Sequence, residues 1–424
     1  MNQLTSRESE AGRPGEDALG SALAGALPEA LRAELVAFRR DLHMHPELGN
    51  QEFRTTAALK TRLELAGLQP RESGIGTGLI CDIGTHTETG EWEGGRGMLA
   101  LRADIDALPI PDTKLGCAYR STVPDRAHAC GHDVHTTVVL GAGLVLAEMD
   151  RRGELPHPVR LIFQPAEEVL PGGAADLIAC GALDGVRKII AVHCDPKVDA
   201  GKIGLRYGAI TSACDRLDVT LDGPGGHTAR PHLTTDLVTA VAKVATEVPA
   251  VVARRVDARS GLVLTWGRIE SGHTCNVIPQ HAELSGTVRC LDLEAWREAP
   301  DVVHGAVQEI ADLYRAKPVV NYVRGVPPVV NDPAVTELLR EAMTARRGVD
   351  SVEGTLQSLG GEDFSWYLEH VPGAMARLGV KSPEDRTSRD LHQGDFDVDE
   401  SAITVGVELF TAAALLDGAA FSDA

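Results

Sequence analysis

Apolar residues along the first half of the chain switch between helical and strand spacing. In LPEALRAELVAFRRDLHMHPE (27–47), Leu31, Leu35, Phe38 and Leu42 recur at helical intervals and predict an amphipathic helix. GLICDIG (78–84) and GMLALRADIDALP (97–109) are apolar runs that predict strands. HTTVVLGAGLVLAEM (135–149) is apolar almost all round and predicts a buried helix. VRLIFQPAEE (159–168) and KIIAVHCDP (188–196) are apolar runs that end in polar residues. This alternation predicts an α/β fold whose central sheet is mainly parallel and flanked by helices.

At about residue 213 the pattern changes. DRLDVTLDG (215–223) alternates apolar and polar, as a strand with one solvated face does. A helical pattern follows at about 234–255, then GLVLTWGRIES, AELSGTVRCL, a second helical pattern at about 294–315, and PVVNYVRG. Strand, helix, strand, strand, helix, strand predicts a smaller α+β domain inserted into the first. GVPPVVNDP (325–333) is the expected return crossing, and ESAITVGVELFTAAALL (400–416) an apolar helix that completes the larger domain. The expected divisions are a polar N-terminal tail (1–26), a first catalytic segment (27–212), an inserted domain (213–325) and a second catalytic segment (326–424).

Composition narrows the function. Of 424 residues 43% are hydrophobic but only 4% aromatic, so aliphatic side chains must fill the core. Asp and Glu total 61 against 41 Lys and Arg, a net charge of −20. That balance argues against nucleic acid or an anionic membrane as partner and favours attraction of cations. Eight cysteines fall at irregular spacing with no C-x-x-C, which suits a reducing cytoplasm. No apolar run is long enough to span a bilayer, and no signal peptide is visible.

The chemistry centres on AHACGHDVHTT (127–137). Cys130 and His132 stand two apart just before a helix, and both residue types ligate zinc or similar metals. Asp133 is placed to hold an imidazole from behind. The same stretch also fits a structural zinc clasp, a cysteine nucleophile with its base, or a buried cysteine beside helix-capping residues. Glu167 and Glu168 follow a predicted strand; adjacent carboxylates there can divide into metal ligand and general base, or form a solvated turn. His193 closes another apolar run, and His392 lies in acidic LHQGDFDVDE. Asp104 and Asp106, two apart, would face the same way on a strand. These groups fall at the ends of successive predicted strands, where α/β sheets gather functional sites. They offer more ligands than one metal needs, so two metals are expected. There is no G-x-S-x-G; GPGGH (223–227) lacks the P-loop lysine, and GIGTG (74–78) lacks the full dinucleotide fingerprint.

RRDLHMHPELGNQE, LRADIDALPI, HACGHDVHTT, FQPAEE, GGHTARPH, NVIPQHAELSGTVR, GGEDFSWY and LHQGDFDVDE span about residues 39–400. In this order they resemble the M20 metallopeptidase family, in its amidohydrolase branch of hippurate hydrolases, aminoacylases and indole-acetyl-amino-acid hydrolases. The resemblance implies a catalytic α/β domain with a dinuclear metal site, and an inserted lid domain that forms a homodimer. It implies Cys130, His132, Glu168, His193 and His392 as ligands of two divalent ions: zinc, manganese, cobalt or nickel. Glu167 would be the general base, with Asp106, and Asp104 behind it, orienting the site. His227 would stabilise the oxyanion, and Asn276 and Arg289 would bind substrate, the arginine gripping its carboxylate. Two features depart from the family pattern: Thr228 and Arg230 follow His227, which changes the wall near the substrate, and LHQGDF replaces a proline-containing form.

The implied activity is hydrolysis of N-acyl amino acids to a carboxylic acid and a free amino acid. A specific biosynthetic N-acetyl-amino-acid deacetylase is the alternative among enzymes. A non-catalytic metal-dependent binding protein is the alternative of another class, and the intact base and ligand set speak against it.

Overall fold

The computed structural model describes residues 27–84, 97–382 and 389–419. The predicted N-terminal tail (1–26) lies outside them. Among the described residues, the larger sheet has eight strands in the order Arg71–Glu72, Leu79–Ile83, Val159–Gln164, Met98–Asp104, Val186–Asp199, Gly373–Lys381, Ile203–Leu205 and Val352–Gly354. The four strands from Val159–Gln164 to Gly373–Lys381 are mutually parallel, and antiparallel pairings lie toward the two sides. The expected α/β architecture is therefore present, with its parallel strands in the centre.

The central strands are buried on both faces, which explains their continuous apolar runs. One face packs against helices Glu29–Met44, His132–Arg151, Pro333–Arg347 and Ser401–Ala419. Val134, Val138, Leu140, Leu144 and Leu146 all enter that core, so the second of these helices is enclosed, as its sequence predicts. The other face is covered more thinly, by short helices Ala174–Ala179 and Ser365–Leu368.

A second, four-stranded antiparallel sheet runs Val263–Ser271, His281–Cys290, Ala213–Asp222, Lys317–Val326. Helices Leu237–Arg255 and Leu293–Leu313 pack on one face of it through Leu217, Val219, Leu284, Val244 and Val307. The opposite face is partly solvated, hence the alternation in DRLDVTLDG. No helix among the described residues is long and apolar enough to cross a membrane.

Candidate metal centre

Three local devices aim side chains past the ends of the central strands. Gly131 precedes helix His132–Arg151 in the left-handed region (φ 87°), and a Cβ there would lie 2.7 Å from Cys194 Sγ. Only glycine makes this turn without strain, and the turn carries Cys130 and His132 into the centre. After strand Val159–Gln164, Ala166 also has positive φ (58°), and its N–H donates to buried Glu52 Oε1 at 2.8 Å. Glu167 and Glu168 follow that bend, and the Glu168 N–H donates to Asp106 Oδ2 at 2.9 Å. His392, φ 62°, is tied by its backbone N–H to the Ala129 carbonyl at 2.8 Å, next to Cys130.

The resulting donors converge. Cys130, His132 and His193 place one ligand atom each within 4.8 Å of one another, as do Cys130, Glu168 and His392, and His132, Glu167 and Glu168. Cys130 Sγ is 3.6 Å from His193 Nε2, and His392 Nε2 is 3.4 Å from Glu168 Oε1. His193 Nδ1–H donates to the Cys194 carbonyl at 2.8 Å, and His132 Nδ1–H to the Asp106 carbonyl at 2.9 Å. Each ring is thereby held with Nε2 toward the centre, as metal-ligating imidazoles are. His132 Nε2 and Glu168 Oε1 are buried without hydrogen-bond partners, which is costly unless a cation sits between them. These donors fit a metal site, and they exceed what one ion takes.

Charge at the centre follows from burial and crowding. Burial opposes protonation of His132, but Asp104, Asp106 and Glu168 outweigh it and raise its pKa to about 10. The negative charge that draws a proton there draws a metal cation equally. Burial, with Arg377 and His135 nearby, keeps His193 neutral. The two glutamates are pushed apart. Burial, then Glu362 and Glu168, raise the Glu167 pKa well above the carboxylate range. Burial acts on Glu168 too, but His392 and His132 overcome it and lower its pKa.

Several expectations need correction. Strand Met98–Asp104 ends at Asp104, so Asp106 lies beyond it and does not share a strand face with Asp104. Both still reach His132: Asp106 Oδ1 is 3.3 Å from Nδ1 and Asp104 Oδ2 is 3.8 Å from Nε2. His193 does not close its strand, which continues to Asp199; it sits where pairing with Met98–Asp104 has ended. Asp133 holds an imidazole, but that of His43 (2.7 Å), together with Arg39 (2.7 Å), away from the cluster. His135 is satisfied at both nitrogens, by Asp104 Oδ1 (2.6 Å) and by the Cys194 N–H (2.8 Å), so its lone pair is not available.

Sequence reasoning missed a buried network behind Glu167. Arg102 donates to Asp104 Oδ2 and Asp363 Oδ1 at 2.8 Å and to Gln164 Oε1 at 2.9 Å, and pairs with Glu362 at 3.1 Å. Arg102 and Asp363 stand 261 positions apart, but Arg102 and Gln164 are polar residues inside apolar runs, which is the available signal for their part of the network.

His227, Asn276 and Arg289 are not joined to the cluster by any hydrogen bond or ion pair among the described residues. Arg289 lies on the smaller sheet, while His227 lies on a separate two-stranded ribbon of Gly226–His227 and Val277–Ile278, with Asn276 just before its second strand. His227 pairs with Val277, and Asn276 O accepts from the Thr228 N–H. Gly225 of GPGGH packs against this ribbon: a Cβ there would lie 2.5 Å from the Ile278 carbonyl. His227 Nδ1 accepts from the Ala229 N–H at 3.0 Å, which leaves Nε2–H as an exposed donor. Arg289 donates to the Leu359 carbonyl, in the loop leading to Glu362.

Residues 100–416 match the family model described as Peptidase family M20/M25/M40. The chain belongs to this family. It superimposes on the crystal structure of a dinuclear metal binding M20-family peptidase from Bacillus subtilis, with a TM-score of 0.79 and 31% identity, over 93% of this chain and 99% of that one. It is 38% identical to the N-acetyl-L-cysteine deacetylase of Bacillus subtilis (strain 168), covering 88% of this chain and 85% of that protein. It is 49% identical to a putative glutamate--cysteine ligase 2-3 of Rhodococcus jostii (strain RHA1), covering 91% of this chain but only 47% of that protein. As an M20-family member the chain is a metal-dependent amide hydrolase, and the chemistry of its clustered donors fits divalent metal ions.

Proposed function

We propose that this M20-family chain hydrolyses the amide bond of N-acyl amino acids to a carboxylic acid and a free amino acid. The observation that carries the reading is the convergence of Cys130, His132, Glu167, Glu168, His193 and His392 on one centre, where burial and neighbouring charge push the pKa values of the adjacent Glu167 and Glu168 in opposite directions. Amide hydrolysis of this kind needs one carboxylate that stays ionised as a ligand and one that takes up and returns a proton. Glu168, with Cys130, His132, His193 and His392, would hold the two ions, which when bound activate water and polarise the amide carbonyl. Glu167 takes the proton of the attacking water and passes it to the leaving nitrogen. Asp106 fixes both the His132 ring and the Glu168 backbone, and Asp104 stands behind them. His227 Nε2–H donates to the developing oxyanion, while Asn276 and Arg289 receive the amino-acid side of the substrate.

A cysteine ligand leans toward zinc, cobalt or nickel, and the carboxylates permit manganese. Residues 213–325 act as the lid and dimerisation domain, flanked by catalytic segments 27–212 and 326–424. The outer edge of strand Val263–Ser271, unpaired among the described residues, supports a homodimer through this domain. Eight free cysteines support a reducing, cytoplasmic setting. Within the class, an N-acylated cysteine is the substrate to test first, because a relative 38% identical bears the name N-acetyl-L-cysteine deacetylase. Turnover of N-acetyl, N-benzoyl and longer N-acyl derivatives of cysteine, methionine and diaminopimelate, with each divalent metal in turn, tests the proposal. Activity confined to one acetylated amino acid would favour a dedicated deacetylase. A metal-loaded protein with no turnover across the panel would overturn the hydrolase reading.

A further inference from the structure

Two arginines are buried beside the centre, and they differ. Arg102 is 1% exposed, and its guanidinium meets Gln164, Asp104, Asp363 and Glu362. Arg377 is 5% exposed, yet its Nη2 is buried with no hydrogen-bond partner. It forms no ion pair with any described residue. Burial lowers the pKa of Arg377, whereas at Arg102 burial is more than offset by Glu362, Asp104 and Asp363. A buried guanidinium nitrogen without an acceptor is expensive, and a ligand that supplied the acceptor would remove that cost.

Its position shows which ligand. Arg377 lies on strand Gly373–Lys381, in register with His193 on the neighbouring parallel strand, so the two side chains leave the same face of the sheet. Its charge is felt by His193, and it feels Asp195 most, then Glu362 and Cys130, though none of them lies within ion-pair distance. Glu362 does not pair with it: its Oε1 lies 3.1 Å from Arg102, and its Oε2 is buried without a partner of its own. Arg377 therefore faces the metal-ligand cluster from the large sheet. Asn276 and Arg289, which receive the amino-acid side in the proposed reaction, belong to the smaller domain. That leaves the acyl side of the scissile bond to Arg377.

We propose that Arg377 is a specificity-determining residue that binds a carboxylate on the acyl side of the scissile amide. The inference rests on the amide-hydrolase reading for its orientation. The carboxylate has two sources. One is the acid that every turnover releases; the other is an acyl group with a carboxylate of its own, such as succinyl. A planar guanidinium suits either, through paired N–H donors.

The test uses the metal-loaded protein and calorimetric titration with acetate and succinate, with acetamide and succinamide as neutral controls. Arg377→Met should weaken acid binding roughly 10- to 100-fold, the effect of losing a charge-assisted hydrogen bond. Amide binding, metal content and melting temperature should hold. Turnover of N-acetyl and N-succinyl forms of one amino acid separates the sources. A fall in the succinyl-to-acetyl ratio of kcat/KM assigns the acyl group's own carboxylate. An unchanged ratio with weaker product inhibition by acetate assigns the released acid. Equal acid binding by wild type and variant overturns the proposal, as does a wild type that binds neither acid. Loss of metal from the variant with acid binding unchanged would make Arg377 a positioning residue for the ligands. Should Arg377→Met not fold, Arg377→Lys keeps the charge and loses the fork, and its acid affinity is judged the same way. Acid binding needs no turnover, so a protein without N-acyl-amino-acid hydrolysis would sink the functional reading and leave the Arg377 result standing.

Discussion

His132 Nε2 faces Glu168 Oε1 across 3.8 Å, and neither buried atom has a hydrogen-bond partner. Metal–nitrogen and metal–oxygen bonds are about 2.0–2.2 Å, so this gap accommodates an ion bound by both atoms. Glu167 Oε2 stands 3.9 Å from the same nitrogen, but its raised pKa suits it to carry protons. The two glutamates should thus respond differently to one substitution. Glu167→Gln should keep most bound metal and lose turnover by roughly 100- to 10,000-fold. Glu168→Gln should lose metal first. Elemental analysis beside initial rates decides it, and normal metal content in both variants with good turnover in either would refute the division.

Cys130 is expected to act as a ligand and never as a nucleophile. Burial and the neighbouring Glu168 and Glu167 raise its pKa well above that of a free thiol, so in metal-free protein it is a protonated, slow thiol. Bound metal should slow alkylation further by occupying the sulfur. Chelation should abolish turnover, and added divalent metal should restore it. Mass spectrometry of protein quenched during turnover checks the alternative: an acyl adduct on Cys130 would overturn the ligand role.

Stability in acid should depend on Asp417, far from the centre. This carboxylate, 2% exposed, bonds Arg187 and Lys188. Burial alone would raise its pKa, but the two cations outweigh it and lower the value. A depressed carboxylate pKa contributes stability above the unfolded value, about 3.9, and that contribution disappears as pH falls through the folded pKa. Asp417→Asn should therefore cost about 2 kcal/mol at pH 7, less than a fully enclosed pair because the cations are partly solvated. The gap from wild type should close below about pH 4. Denaturant unfolding at several pH values measures it, and a gap independent of pH would show that packing is responsible.

The sequence revealed the centre where chemistry and local pattern coincide. Glu167, Glu168 and His193 end apolar runs, Cys130 and His132 stand just before an apolar helix, and His392 lies in an acidic stretch; the fold gathers all six. Helix His132–Arg151 was legible because a helix buried on every side has no polar stripe. The Arg102–Asp104–Gln164–Asp363 network was not, because its members meet only through non-local pairing of parallel strands. Arg377 was hidden for the same reason: nothing in GAMARLGV tells that its strand runs between two others. Strand length was the other limit. Nothing in RADIDALP says that pairing stops at Asp104, nor in AVHCDP that it runs on to Asp199.

His227 should act across the dimer. Its Nε2–H is an exposed donor on the two-stranded ribbon of the proposed inserted domain, and among the described residues no hydrogen bond or ion pair ties it to the donors around Glu167. If the homodimer forms through that domain, two-fold symmetry can bring each His227 to the partner's centre. Complementation tells the two arrangements apart. His227→Ala and Glu167→Ala should each be inactive alone. After subunit exchange, half of the dimers are mixed, and each mixed dimer has one site with both defects and one with none. Roughly a quarter of wild-type activity should therefore return. Differently tagged chains, recovered together, establish that exchange took place. Exchange without recovery would mean that His227 serves its own subunit's centre or has no role in the reaction.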